Sequence, residues 1–164
     1  MAVNHYRPHL VVLSEDDATR SLAVGFSDQA TGQIDIRRPA GGWPSVLHQF
    51  QFTYLAHLRK YDKAHVLMLI DFDEDFPGRL HHFQAHIPAD VADRVYVLGA
   101  QDEAETLKNE QKMHLGPLGE QLARECRDQK HVHWVCPQLR HNHPEVERLN
   151  AAVRSFLLLS LIHI

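Results

Sequence analysis

The chain has 164 residues, of which 44% are hydrophobic and 23% are charged, a composition typical of folded globular proteins and not of disordered ones. The length suits a single domain over 1–164, with its core at about 8–140. The net charge of −4 excludes a broadly basic coat for nucleic acid but not a local basic groove. We expect no signal peptide, no membrane span and, with only two cysteines, no disulfide framework, and therefore a soluble cytoplasmic protein.

Strand and helix patterns alternate along the chain. Apolar or alternating runs predict strands at 10–13, 33–37, 66–70, 94–99 and 132–135. Helical patterns begin near 17, 44, 80, 104, 118 and 144, and the last continues to about 164. The order predicts an α/β fold: a mostly parallel, Rossmann-like sheet flanked by helices, with the strand at 66–70 in its centre and an extra C-terminal helix.

Acidic side chains follow three of the predicted strands. Glu15 follows the first strand, Asp71 and Asp73 follow the apolar central strand, and Glu103 and Glu105 follow the next one. The carboxyl ends of parallel strands line the ligand crevice, and alternation in an extended segment would place Asp71 and Asp73 on one side of the chain. Carboxylates held together repel each other unless a divalent cation joins them, so the pattern predicts a site for Mg²⁺ or Mn²⁺. Solvated acidic strand ends without a ligand are the alternative.

Two other interpretations of the Asp71 motif do not fit the residues. A calcium-binding EF-hand loop starting at Asp71 would need glycine at its sixth position and glutamate at its twelfth, where the chain has Phe76 and His82. A haloacid-dehalogenase-like phosphatase would carry the motif on its first strand, whereas two predicted strands precede Asp71 here.

The order of these motifs resembles the Toprim domain, which topoisomerases, bacterial primases, RecR-type repair proteins and OLD-family nucleases share. The resemblance rests on LVVLSEDD at 10–17 and VLMLIDFD at 66–73, and it covers about 8–112. Many nuclease-type members have E-G-x-x-D at the first motif, whereas Asp16 takes the place of the glycine here. The resemblance implies a Toprim core that uses Mg²⁺ or Mn²⁺ to cleave or rejoin phosphodiesters.

The resemblance also implies roles for individual residues. Asp71 and Asp73 would hold the metal ion, and Glu15 would complete the metal shell or act as a general base on water. OLD-like members place a further acid after the next strand. Glu105 is the residue we assign to this position, as a ligand of a second metal, with Glu103 as its rival. Lys108, one turn after Glu105, would neutralise charge on the scissile phosphate.

Topoisomerase and primase activities need additional modules, so the resemblance favours a nuclease acting on DNA or RNA, alone or as the effector of an antiphage defence or repair system. Such an effector would work beside a separate ATPase or another operon-encoded partner, because this chain has no P-loop motif. A Toprim-like module that binds or regulates through a partner without catalysis is the alternative from another class. A small-molecule phosphohydrolase using the same carboxylates also stays open.

Three further features carry weaker predictions. A dense segment of potential zinc ligands contains Cys126, His131, His133, Cys136, His141 and His143, but it lacks CxxC spacing, and scattered surface histidines are the alternative. Basic residues at 37–38, 59–63 and 124–130 either follow a phosphate backbone or form solvated faces. The last helix becomes apolar all round at 156–159, which predicts burial partly in the core and partly against a second copy in a homo-oligomer.

Overall fold

The structure, a computed structural model, describes residues 2–159. Its strands are β1 (His9–Ser14), β2 (Gln33–Ile36), β3 (Ala64–Asp71) and β4 (Val95–Ala100). They form one all-parallel sheet in the order β2-β1-β3-β4. The prediction of a parallel, Rossmann-like α/β fold with the strand at 66–70 in the interior of the sheet is therefore confirmed.

Helices cover both faces of this sheet. They are α1 (Asp17–Ser27), α2 (Trp43–Gln49), α3 (Leu55–Lys60), α4 (Phe76–Gln84), α5 (Ala104–Gln111), α6 (Leu115–Asp128) and α7 (His143–Leu157). Helix α4 begins four residues before the predicted start, because the Asp75 side chain accepts a hydrogen bond from the Gly78 N–H and caps it. None of the helices described here combines the length and the apolar character needed to cross a bilayer.

The sheet is buried on both faces. Alternate residues of β1 point to opposite sides: Leu10 and Val12 pack toward α6 and α7, and Val11 and Leu13 pack toward Phe50 of the α2–α3 side. Each such aliphatic side chain contributes about 1.5–3 kcal/mol by leaving water. The interior strands are therefore fixed in position, and the residues that follow them are held by the same packing.

Helices α2 and α3 are joined by a π-helical turn, Phe50–Tyr54. The sequence predicts one amphipathic helix here, and the path is indeed helical from Trp43 to Lys60. Phe50 and Leu58 are fully buried, as their spacing predicts. The π turn begins at Phe50 and ends before Leu58, and such turns are frequent at functional sites.

The C-terminal helix α7 places Val146, Leu149, Val153 and Leu157 in the core, as predicted. Leu158 is also buried, whereas Leu159 is 41% exposed. The predicted extension over 160–164 lies outside the described residues. Contact with a second copy through this helix stays a prediction.

The predicted strand at 132–135 is wrong. Val132 and Val135 are 65% and 53% exposed, and this segment forms turns. The backbone N–H groups of Val132, His133 and Trp134 donate to a carboxylate oxygen of Glu125, at 3.0, 2.8 and 3.3 Å. The buried acid on α6 thus takes the donors that a neighbouring strand would otherwise have received.

Candidate metal centre

The candidate site lies where the chain changes direction across the sheet. β1 lies between β2 and β3, so the chain continues from β1 to β2 on one side and then crosses to β3 on the other side. This reversal of strand order is a topological switch point. In α/β sheets, ligands bind in the crevice at the carboxyl ends of the two strands at such a point, here β1 and β3. Glu15 directly follows β1, and Asp71 is the last residue of β3. Together with Asp16 they bring one carboxylate oxygen each within 4.8 Å of one another. The structure therefore brings Glu15 and Asp71 together.

Glu15 is buried, with 8% of its surface exposed, and is held by backbone donors. Its Oε2 accepts a hydrogen bond of 2.8 Å from the Asp71 N–H, and its carboxylate also accepts one from the Trp43 N–H at the start of α2. Burial raises the pKa of Glu15. The charges of Asp16 and Asp73 raise it further, and the two hydrogen bonds only partly offset these effects.

Asp71 is also buried, with 6% exposed, and points at the start of α5. Its Oδ1 accepts a hydrogen bond of 3.0 Å from the N–H of Ala104, the first residue of that helix. Burial, followed by the charge of Glu15, raises the pKa of Asp71 to about 7. The ionised form of this carboxylate is therefore held at a cost that a nearby cation would remove.

In the described part of the chain, no basic side chain forms an ion pair with either of these two acids. Among residues 2–159, the ion pairs formed by lysine, arginine and histidine include neither Glu15 nor Asp71. Two buried carboxylates and the exposed carboxylate of Asp16 form an all-oxygen donor set, which suits Mg²⁺ or Mn²⁺ better than the softer metals. The residues present thus fit the predicted ion.

Asp16 is the residue that the sequence analysis did not assign to the site. It is the N-cap of α1: its Oδ1 accepts a hydrogen bond of 2.9 Å from the Thr19 N–H, and the Thr19 hydroxyl completes a capping box. It stands where many of the nuclease motifs that this segment resembles have glycine, and the run of acids from Glu15 to Asp17 was the signal that could have identified it.

Asp73 lies in the same cleft, but its backbone conformation differs from the predicted one. The prediction of an extended backbone at 71–73 is wrong, because Asp73 and Glu74 have φ values of 49° and 61° and form a left-handed turn. Asp73 still lines the cleft with Glu15 and Asp71. Its carboxylate forms an ion pair with Arg79.

Arg79 holds this part of the cleft together. It donates a hydrogen bond of 2.9 Å to the backbone oxygen of Asp71, besides its pair with Asp73, and its guanidinium lies 4.6 Å from the centre of the Trp43 ring. This role of Arg79 could not be predicted from the neighbouring residues, because Arg79 follows Asp73 by six residues and acts through the first turn of α4.

The two acids near α5 separate in the structure. Glu103 is the N-cap of α5 and lines the cleft with Asp71 and Asp73. Glu105, one residue into the helix, forms a 3.7 Å ion pair with Lys108, and both line an adjacent groove. The structure thus places Glu103, the rival position, beside the other acids. The roles predicted for Glu105 and Lys108 stay predictions.

The cysteine and histidine segment is not assembled into one zinc site in the described residues. No group of three close metal-ligating side chains within residues 2–159 contains a cysteine. Burial raises the pKa of Cys126 to about 12, and His133 Nδ1 contacts Glu125 at 2.6 Å. His131 and His143 do come together, with Glu147, at the surface.

Comparisons of the chain with protein-family models, with curated proteins and with solved structures found no match. Fold and site therefore define the class of protein: an α/β Rossmann-like chain with an acidic cleft at the switch point of its parallel sheet. The Toprim resemblance rests on the order and spacing of the residues that form this cleft.

Proposed function

We propose that this chain is a Toprim-type nuclease that hydrolyses phosphodiester bonds of nucleic acid with Mg²⁺ or Mn²⁺ held in the acidic cleft. One observation carries the proposal: Glu15 and Asp71, two buried carboxylates on adjacent strands at the switch point, face each other without a basic partner in the described part of the chain. The chain order of Glu15 and the Asp71-x-Asp73 motif supports the Toprim assignment.

The acids of the cleft have different proposed roles because their surroundings differ. The bound ion supplies Lewis-acid activation of the phosphate and of the attacking water. Asp71 and Asp16 would bind the ion, and Glu15 would either add a third oxygen or take the proton of the water, a task that its raised pKa suits. Glu103, at the mouth of the cleft, takes the place of a further acid.

Contacts to the substrate would come from basic residues beside the cleft. Arg38 is exposed and immediately precedes Pro39, which lines the cleft, and Arg79 pairs with Asp73, another residue that lines it. Both can contact phosphates of a strand whose scissile bond lies over Asp71. Lys108, in the adjacent groove, would contact a further phosphate of the same strand. A separate ATPase or other operon-encoded partner, in antiphage defence or repair, belongs to the same proposal.

The test is a cleavage assay with labelled single- and double-stranded DNA and RNA, with Mg²⁺ or Mn²⁺, alongside Asp71→Asn and Glu15→Gln. We expect metal-dependent cleavage that falls at least about 100-fold in both variants, since each loses several kcal/mol of metal-dependent stabilisation. Asp90→Asn is the matched control, because Asp90 is an exposed acid paired with Arg59, outside the cleft. Circular dichroism of each variant establishes that it is folded.

A Toprim-like binding module without catalysis is the second candidate. Two contacts favour it: Arg79 already neutralises Asp73, and the Glu15 carboxylate ties together the backbone of β3 and α2. In this case calorimetry would detect Mg²⁺ binding that depends on Asp71, but no substrate would be cleaved, with or without the partner protein.

A further inference from the structure

A second cluster of side chains that could bind a metal ion lies at the opposite end of β1, where this strand begins. His5 precedes β1, His9 is its first residue, and His57 lies on α3. One ring nitrogen from each comes within 4.8 Å of the others. The three ring centres are 4.8 to 5.2 Å apart, so the imidazoles surround one point instead of stacking in a row.

The hydrogen bonds of His9 fix which of its nitrogens faces this point. Its Nδ1 lies 2.8 Å from the backbone oxygen of Arg7, and because a carbonyl oxygen only accepts, Nδ1 carries the hydrogen. The Nε2 lone pair of neutral His9 therefore faces the cluster, where it accepts a hydrogen bond of 2.9 Å from the Nε2–H of His57. A metal ion between the rings would take the place of that hydrogen, which neutral His57 can carry on Nδ1 instead. A ring that donates its other N–H to a backbone carbonyl is the usual arrangement of a metal-binding histidine.

The surroundings keep the rings of His9 and His57 uncharged and pack the cluster against two tyrosine rings. Burial lowers the pKa of His57 to about 4 and also lowers that of His9, so both rings are neutral near pH 7, the form that binds metals. The Tyr61 ring packs against His5 and His57, with centroids at 5.0 and 4.8 Å, and Tyr54 packs against His57 from another side.

We propose that His5, His9 and His57 form a binding site for a divalent transition-metal ion, with Zn²⁺ as the ion that three imidazoles select. Imidazole nitrogen suits zinc and neighbouring metals, whereas Mg²⁺ prefers oxygen ligands. Three protein ligands leave a fourth position for water or another ligand. The site joins the segment before β1 to α3, so the bound ion stabilises this corner of the fold.

This site is independent of the acidic cleft. His9 begins β1 and Glu15 follows it, so the six-residue strand separates them by about 20 Å at roughly 3.3 Å per residue. The two sites also differ in donor atoms, nitrogen in one and oxygen in the other. Loss of one site therefore leaves the other in place, and each can be tested separately.

The test titrates Zn²⁺ into chelator-treated protein by calorimetry, in a large excess of Mg²⁺ that saturates the oxygen ligands of the cleft. The variants are His5→Ala and His57→Gln, since both residues are partly exposed, unlike the fully buried His9. His48→Ala is the matched control, because His48 is an exposed histidine on the preceding helix, stacked on Phe52 and outside the cluster. Circular dichroism establishes that each variant is folded.

We expect one Zn²⁺ per chain with unchanged affinity in His48→Ala, and an affinity about 100-fold lower in each of the other two variants. Zn²⁺ should also raise the melting temperature of the unmodified chain, and Co²⁺ in its place should give the visible absorption bands of a nitrogen-ligated tetrahedral ion. Unchanged affinity in the His5→Ala, His57→Gln double variant would overturn the proposal. Loss of binding in His131→Ala, His143→Ala instead would also overturn it, because the ion would then belong to the other surface cluster.

Discussion

The backbone N–H of Asp71 donates a hydrogen bond of 2.8 Å to the carboxylate of Glu15. β1 and β3 pair in parallel with Ser14 opposite Leu69, so the residues just beyond this pair are brought together by the register of the sheet. The two central acids of the cleft are thus neighbours because of strand pairing, and no loop needs to move to assemble them.

The first prediction concerns the stability of the metal-free chain as a function of pH. The pKa of Asp71 is about 7 in the folded chain against an ordinary value of 3.8, so between these values the folded state holds a proton that the unfolded chain releases. Stability therefore falls as the pH rises through this window. One unit of pKa difference equals about 1.4 kcal/mol, so the loss is on the order of 4 kcal/mol.

Urea denaturation from about pH 4 to about pH 8 with a chelator present measures this loss, and Asp71→Asn should flatten the profile. Mg²⁺ should restore stability at the upper end in the unmodified chain only. Asp90→Asn is the control and should leave the profile unchanged in shape. A profile with the same slope in Asp71→Asn would mean that another group holds the proton.

The second prediction concerns Arg79, whose charge competes with a metal ion for Asp73. Arg79→Met removes the charge and keeps an apolar side chain against Trp43. Mg²⁺ binding should tighten by up to about 5-fold, because the Asp73 side chain is 51% exposed and an ion pair open to water on one side is worth about 1 kcal/mol, although the Arg79 side chain is only 16% exposed. Calorimetry measures the change, with Arg59→Met as the control at a remote pair. Weaker binding would instead show that Arg79 positions Asp73 for the ion.

The third prediction concerns Glu125, which orders the segment at 132–135. Its burial alone would raise its pKa, but the hydrogen bonds from His133 and from the backbone of Val132 and Trp134 lower it overall, so it is an anion in the fold. Glu125→Ala removes the acceptor of three backbone N–H groups, of which that of Trp134 is buried and those of Val132 and His133 are partly buried. The change should cost about 3 kcal/mol or more in the free energy of unfolding.

Glu120→Ala is the matched control on the same helix. Its partly exposed side chain forms a 3.9 Å pair with Arg124 and accepts a 3.3 Å hydrogen bond from the Gln29 side chain, so its loss should cost only about 1 kcal/mol. Urea denaturation followed by tryptophan fluorescence compares the two variants, since Trp134 lies in the affected segment. Equal effects in both variants would show that the backbone contacts of Glu125 contribute little.

The interior of the sheet was predictable because its strands are buried on both faces and therefore read as continuous apolar runs, as at 66–70. Residues 132–135 have a similar pattern, yet they form no strand. What differs is a partner remote from the pattern: Glu125 supplies acceptors to their N–H groups. Apolar composition indicates that a segment tends to be buried, but it does not indicate which group accepts the hydrogen bonds of its backbone N–H groups.

The site was predictable to the same extent. Glu15 and Asp71 follow buried strands, so their meeting could be inferred from parallel pairing. The resemblance asked for an acid after β4 and left Glu103 and Glu105 as rivals, and only the structure shows that Glu103 is the one that lines the cleft. The histidine cluster could not be inferred, because His9 and His57 are 48 positions apart and meet only through the packing of α3.

The π turn at Phe50–Tyr54 sets the rotational phase of the residues after it. A helix advances about 100° per residue, so deleting one residue within this turn would rotate α3 by that angle and shift it by about 1.5 Å. Leu58 would leave the core, and His57 would turn away from His9. The extra residue of the π turn therefore sets the rotation of α3 about its axis, so that Leu58 points into the hydrophobic core while His57 points at the histidine cluster.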